Sequence, residues 1–365
     1  MDMRMESPMG ARTVFNSQEM DYFSGTGYLG LQNHPEVIQA AISALQRYGT
    51  ATGTSRGGFG EHPIYDGLEE AGRAFFGASG VLYFASGYLG MMVLTQATGE
   101  LYNHIFIDSS AHFSLWDAAQ ATNLPITVFH HRQPQALQEK LEHDLLPHER
   151  PLVLSDGIFP ISGEIAPLPD YLALVKPYNG LVYLDDAHAL GVLGENGRGT
   201  PEYYEVNEES CRSCGTLAKA LGGYGGVIWG TAKWTEQIDR ASRVIAGSSP
   251  PPLGVAAASA RALEIARSSP GLRQTLWANV ARARAGLRTA GWDLEETPSP
   301  IICLAGRQGT SLERIKAGLL EQGIAVPLVR NYSSTPAGGA LRIAIFATHS
   351  SQQIDRLVAA ISSLA

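Results

Sequence analysis

The chain has 365 residues, 44% hydrophobic and 17% charged, the balance of a globular protein with a substantial core and the length of a large enzyme unit or two domains. A formal charge of -8 excludes the broad positive footprint that nucleic acid requires, while leaving room for a small basic pocket that takes a phosphate. No run of eighteen apolar residues spans a membrane, residues 1–17 lack the apolar middle of a signal peptide, and three cysteines suit a reducing compartment, so a cytoplasmic setting is expected.

Taken in chain order, a ragged start leads to PEVIQAAISALQRYG (35–49), whose apolar spacing predicts an amphipathic helix. A glycine-rich loop, ATGTSRGGFGEHP (51–63), precedes a second helical stretch, IYDGLEEAGRAFFG. Short apolar runs then alternate with helical ones: VLYFAS (81–86) followed by a helix from about Gly87, HIFIDS (104–109), PITVFH (125–130), PLVLSD (151–156), GLVYLDD (180–186) and GGVIWG (225–230). Six strands separated by helices predict an α/β fold with a large, doubly wound, mostly parallel sheet covered on both faces. Ligands of such sheets bind beyond the carboxyl ends of the strands, where Ser86, Asp108, Asp156, Asp185 and Asp186 fall. After SSPPPLG (248–254) long helical stretches lead into a strand–helix–strand pattern and a last helix, predicting a smaller α+β C-terminal domain. The expected division is an N-terminal segment (1–44) packing with the small domain, a large domain (45–250) and the small domain (251–365).

Three elements carry chemistry. Asp185 ends an apolar strand, where a carboxylate needs a cationic partner, and a protonated pyridine nitrogen is one. His188 follows three residues on, and Lys219 lies thirty-four residues beyond Asp185 within GTLAKALGGYGG (215–226), an amine able to form a Schiff base with an aldehyde. Strand–Asp–x–x–His followed by Thr–x–x–Lys–x–x–Gly–Gly is the arrangement that a pyridoxal 5'-phosphate (PLP) enzyme requires. Cys211 and Cys214 form a lone CxxC without two further ligands; inert thiols and no metal site are expected. His34, His104, His130 and His131 are expected on the surface or in loops, and Trp116 in the core or a pocket wall.

From Tyr22 to the C-terminus the chain resembles the α-oxoamine synthases, PLP-dependent transferases of fold type I that include 8-amino-7-oxononanoate synthase and serine palmitoyltransferase. The likeness is carried by YLGLQNHPEVIQA, ASGYLG, SAHFSLWDA, GEIAPLP, DDAHALGVLGENGRG, GTLAKALGG and LRIAIFATH. It implies a PLP-dependent acyltransferase that condenses an amino acid with an acyl-CoA or acyl-carrier-protein thioester and releases carbon dioxide, working as a homodimer with its active site at the interface. By the same resemblance Lys219 holds the cofactor and moves protons, Asp185 pairs with the pyridine nitrogen, and His188 contacts the hydroxyl side of the ring. His112 stacks on the ring face. The backbone amides of Gly87 and Tyr88 and the hydroxyl of Thr216 hold the phosphate, which Ser248 reaches across the dimer interface. Arg342 binds the amino-acid carboxylate.

Several positions depart from the family pattern. Thr26 and Gly27 stand where Asn-Asp is usual before the YLGL motif, which predicts an altered amino-acid site at Thr26. Tyr65 replaces a histidine, Asp156 a glutamate, and Pro160 a serine near the cofactor. The segment before YLGL is little more than twenty residues, shorter than the family's helical arm, so a changed acyl-donor entrance is expected. An aminotransferase, or another PLP enzyme without an acyl donor, is the alternative reading; His112 counts against it, because aminotransferases more often stack an aromatic residue there. A catalytically silent PLP-fold binding partner is a third reading, disfavoured by the intact Lys219 and Asp185.

Overall fold

The structure, a computed structural model, describes residues 3–206, 209–306, 309–332 and 335–365. An N-terminal hairpin of β1 (Arg12–Phe15) and β2 (Gln18–Tyr22) opens the chain. The helix Pro35–Tyr48 follows, started by proline at its first position and by the His34 side chain accepting from Glu36 N–H, and ended by Gly49 at φ 78°.

A central sheet then forms from β3 (Gly80–Phe84), β4 (His104–Asp108), β5 (Ile126–Phe129), β6 (Pro151–Asp156), β7 (Leu181–Asp185), β8 (Cys211–Thr216) and β9 (Gly226–Gly230), in the order β3-β9-β8-β7-β6-β4-β5. Every pairing is parallel except the two made by β9. Residues of β4 and β6 are buried throughout, as strands covered on both faces must be. Their side chains divide by alternation: Ile105, Ile107, Leu152 and Leu154 enter one hydrophobic cluster, Phe106 and Val153 the other.

The C-terminal part holds the long helices Leu253–Ser268 and Pro270–Thr289, then β10 (Ile301–Ala305), β11 (Ile324–Ala325), β12 (Leu328–Val329) and β13 (Ala340–Ala344), and closes with the helix Ser351–Leu364. Strand β13 lies between β10 and β12, and β11 pairs in parallel with β2 of the N-terminal hairpin. Among the described residues no helix is long and apolar enough to cross a membrane.

The structure corrects three sequence expectations. CRSCGT is a seventh strand, β8, although its cysteine, serine and glycine give no apolar run. Its Cys211 and Cys214, an odd number of residues apart, enter clusters on opposite faces of the sheet, so the two thiols do not meet. The ragged start contains the β1–β2 hairpin, whose strands become readable only through pairing with β11. His104 is no surface residue: it is buried in β4, with Nδ1 bonded to Glu149 at 2.9 Å and Nε2 to Thr127 at 2.9 Å.

Candidate active site

The carboxyl ends of the central strands and β13 enclose a cavity of about 420 Å3, within the range of small-molecule sites. Thr26, Gly87, Tyr88, His112, Asp185, His188, Thr216, Lys219 and Arg342 all line it. Parallel pairing sets Asp156 at the end of β6 beside Asp185 at the end of β7. Of the strand-end polar residues expected here, Ser86, Asp156 and Asp185 face the cavity. Asp108 and Asp186 do not. Asp108 receives His131 and the Arg132 amide, and Asp186 receives the Thr200 hydroxyl at 2.6 Å, with burial pushing its carboxyl up to about 7 against that bond.

Lys219 makes no side-chain hydrogen bond or ion pair among the described residues, although it sits in the cavity with two carboxylates. Burial lowers its pKa to about 8 against the opposing charges of Asp185 and Asp156. The amine is thus uncommitted, and its neutral form becomes accessible near pH 8 rather than above pH 10, as suits an aldehyde-binding lysine. Its loop closes tightly: Gly222 lies at φ 63°, and a Cβ there would sit 2.3 Å from the Gln32 backbone nitrogen.

Asp185 accepts from the Ala187 amide at 2.9 Å and from Ser114 Oγ at 3.4 Å. Asp156 accepts from the His112 amide at 2.9 Å, and burial, with the charge of Asp185 beside it, raises its carboxyl well above the usual range.

His112 caps the helix Phe113–Ala121. Its Nδ1 accepts from the Ser114 amide at 3.2 Å and lies 2.7 Å from Ser114 Oγ, while Nε2 lies 2.8 Å from Tyr332 Oη. Burial lowers its pKa despite Asp185. The ring is neutral, and with Nδ1 accepting, the proton sits on Nε2. His188 repeats the logic. Arg342 Nη2 donates to Tyr28 Oη at 3.4 Å, and Tyr28 Oη donates to His188 Nδ1 at 2.8 Å, leaving the proton on Nε2. Burial, reinforced by the Lys219 and Arg342 charges, keeps His188 neutral.

Arg342, buried in β13, donates only to neutral oxygens: Pro160 O at 2.6 Å, Gly25 O at 3.2 Å and Tyr28 Oη. It has no carboxylate partner among the described residues, so an anionic ligand would complete it. The carbonyl of Pro160, at the position that departs from the family pattern, thus fixes the arginine. At the opposite wall the Ser86 side chain accepts from the Tyr88 amide at 3.3 Å and shapes the turn Gly87–Leu89, which feeds the helix Gly90–Ala97. A Cβ at Gly87 would meet Thr216 Cβ at 2.5 Å, so only glycine allows the turn to close on the threonine.

These features fit PLP. The uncommitted amine suits its aldehyde, the Asp185 carboxylate its pyridinium, and the turn at a helix N-terminus beside Thr216 its phosphate. Ser248 stands apart from this cavity within one chain, its hydroxyl donating to Val244 O. Tyr65 is buried with its hydroxyl on Pro251 O at 2.7 Å, also outside the cavity. Ser114, Tyr28 and Tyr332 join the site although the motifs assigned them no role. Ser114 and Tyr28 lie inside recognised motifs, which was an available signal; Tyr332 had none.

The model of the aminotransferase class I and II family matches residues 23–361. The 8-amino-7-oxononanoate synthase of Geobacter sulfurreducens is 35% identical over 359 residues, covering 97% of this chain and 91% of its own. The serine palmitoyltransferase of Sphingomonas wittichii superposes with a TM-score of 0.91 at 27% identity, covering 99% of this chain and 91% of its own. A serine palmitoyltransferase from S. paucimobilis, solved with PLP and myriocin bound, superposes with a TM-score of 0.90 at 28% identity, covering 100% of this chain and 92% of its own. A mostly parallel seven-stranded sheet, an uncommitted lysine facing a strand-end aspartate, and full-length similarity to these enzymes lead to one conclusion: the chain belongs to the α-oxoamine synthase family of PLP-dependent, fold type I enzymes.

Proposed function

We infer that the chain condenses an amino acid with an acyl thioester, forming an α-aminoketone and releasing the thiol and carbon dioxide. The observation that carries this reading is the presence, in the lining of one cavity, of an uncommitted amine at Lys219 and a buried guanidinium without an anion at Arg342. When bound, PLP supplies an electron-accepting ring that acidifies the Cα–H of an attached amino acid.

Arg342 binds the amino-acid carboxylate through its free donor capacity, with Thr26 beside it on the same wall. Asp185 would pair with the pyridine nitrogen, its carboxylate held in place by Ser114 and the Ala187 amide. His112 would lie against the ring of bound PLP and His188 near its hydroxyl. The Gly87 and Tyr88 amides and Thr216 would hold the phosphate, with Ser248 of one protomer reaching the phosphate bound by its partner. Lys219, neutral near its pKa of about 8, removes the Cα proton and returns a proton to the same carbon after carbon dioxide leaves. One carbon–carbon bond forms while the thioester C–S bond and the Cα–carboxyl bond break; the Cα proton returns to that carbon through Lys219, and the departing thiolate takes its proton from solvent.

The setting proposed is a cytoplasmic homodimer; a count of three cysteines in 365 residues suits a reducing compartment. Each protomer would divide into residues 1–44, 45–250 and 251–365, a division supported by the β2–β11 pairing. Acyl-CoA and acyl-carrier-protein thioesters share the reacting group, and either fits. The test is to supply carboxyl-labelled glycine, alanine, serine or threonine with each donor and to follow labelled carbon dioxide and the aminoketone by mass spectrometry. Both products from one pair establish the reaction. An amino group passed to a 2-oxoacid, without carbon dioxide, would move the aminotransferase reading ahead.

A further inference from the structure

The cavity has a rim as well as a floor, and the rim is aromatic. Tyr332 and Tyr88, which line the cavity, and Phe113, which packs on Tyr332, are 36%, 44% and 47% exposed, unusual openness for three large rings. Phe113 and Tyr332 meet edge to face at 5.2 Å, and the Tyr332 and His112 rings lie 5.9 Å apart. Tyr88 is anchored through its hydroxyl to Asp117. Tyr332 has no such anchor.

Proton counting decides what its hydroxyl does. The His112 Nδ1 lone pair is taken by the Ser114 amide, so the Nε2 proton points at Tyr332 Oη. The hydroxyl oxygen therefore accepts, and its own proton has no acceptor among the described residues. Tyr332 lines the cavity and feels the charges of Asp156, Arg342 and Asp185 inside it, so that proton is available to a ligand. Arg342, buried in β13 and also lining the cavity, already matches a carboxylate. What remains for a neutral donor at an apolar rim is a neutral oxygen on a partly apolar substrate, and an acyl thioester carbonyl is that group.

We propose that Tyr332 is a substrate-binding residue that donates its hydroxyl proton to the carbonyl oxygen of the acyl thioester, with Phe113 bedding the first part of the acyl chain. The inference rests on the acyl-transfer reading. The donor gains importance as the carbonyl oxygen becomes negative during attack. His112 is then more than a ring cover: it orients the tyrosine.

The experiment compares wild-type PLP-loaded protein with Tyr332→Phe, which keeps the ring and its contact with Phe113. Thiol release is followed with octanoyl-CoA and with octanoyl-carrier protein, which separates the two sources of the thioester. Binding is measured calorimetrically with two unreactive probes: the octanoyl-CoA analogue with CH2 in place of sulfur, which keeps the carbonyl, and S-octyl-CoA, which lacks it. Amino-acid binding is read from the cofactor's absorbance. We expect Tyr332→Phe to bind the amino acid within about twofold of wild type, to lose about tenfold in kcat/KM for the thioester, and to lose wild type's preference for the carbonyl-bearing probe. Unchanged thioester kinetics and probe preference, or equal weakening of amino acid and both probes, would overturn the inference. Absence of thiol release from wild type with every donor would instead defeat the acyl-transfer reading on which it stands.

Discussion

An amine protonated at neutral pH can neither attack an aldehyde nor take a proton, so the state of Lys219 governs everything the site can do. Burial lowers that amine to about 8, and the charges of Asp185 and Asp156 stop it falling further. The apoprotein should therefore take up PLP at a rate rising about tenfold per pH unit below about 8 and levelling above it, followed by growth of the cofactor's visible absorbance. A rate flat from pH 6 to 9 would place the amine's pKa elsewhere. Nine of the ten residues expected at the site line one cavity, and only Ser248 stands outside it within the chain. Most were legible because they sit at strand ends, in tight turns or within recognised motifs. Tyr332 was not legible, because its place is set by a loop that the fold returns to His112 from more than two hundred residues away.

Two elements join the cavity to the rest of the fold. The first is the turn after β3. A Cβ at Gly87 would collide with Thr216, so Gly87→Ala should weaken PLP binding by about tenfold or more while circular dichroism stays unchanged. Equal affinity for PLP would remove the turn from the phosphate site. The second is the loop after β5, where His131 is held between Asp108 and Glu164, each at 2.9 Å, and Arg132 joins Glu164 to Glu295. Burial would lower His131, but the two carboxylate hydrogen bonds outweigh it and raise the imidazole to about 9. The folded pKa lies above the unfolded one, so the clamp's contribution is full below about pH 6.5 and is lost as pH rises through about 9. The gap in melting temperature between wild type and His131→Gln should narrow across that window; a gap independent of pH would show that the clamp is not ionic. The loop position of His131 was readable, but its role was not, since Glu164 and Glu295 are distant in sequence. Strand β8 was missed for a related reason. Its burial comes from flanking strands rather than from its own composition, whereas β4 and β6 announce themselves by unbroken apolar runs.

At the scale of the whole molecule, a chain of charge -8 concentrates its useful cations, Lys219 and Arg342, in one cavity where a carboxylate pair and two neutral histidines arrange them. The sheet order, with β9 alone reversed, brings the ends of β3, β6, β7 and β8 to that cavity, and β13 supplies Arg342 from the C-terminal part. The alternation of short apolar runs with helical stretches made this architecture legible; the N-terminal hairpin escaped because it is completed by β11, some three hundred residues later. Substrate identity is the part least open to motif reading, because Thr26 stands where the chain departs from the family pattern. The measurement that tests the account most directly is amino-acid-dependent thiol release. PLP-loaded protein is supplied with acyl thioesters and with glycine, alanine, serine or threonine, free thiol is read with a thiol reagent, and Lys219→Ala serves as the blank. Release that requires both substrates and falls to background in Lys219→Ala is the predicted result; release indifferent to the amino acid, or surviving in Lys219→Ala, would contradict it.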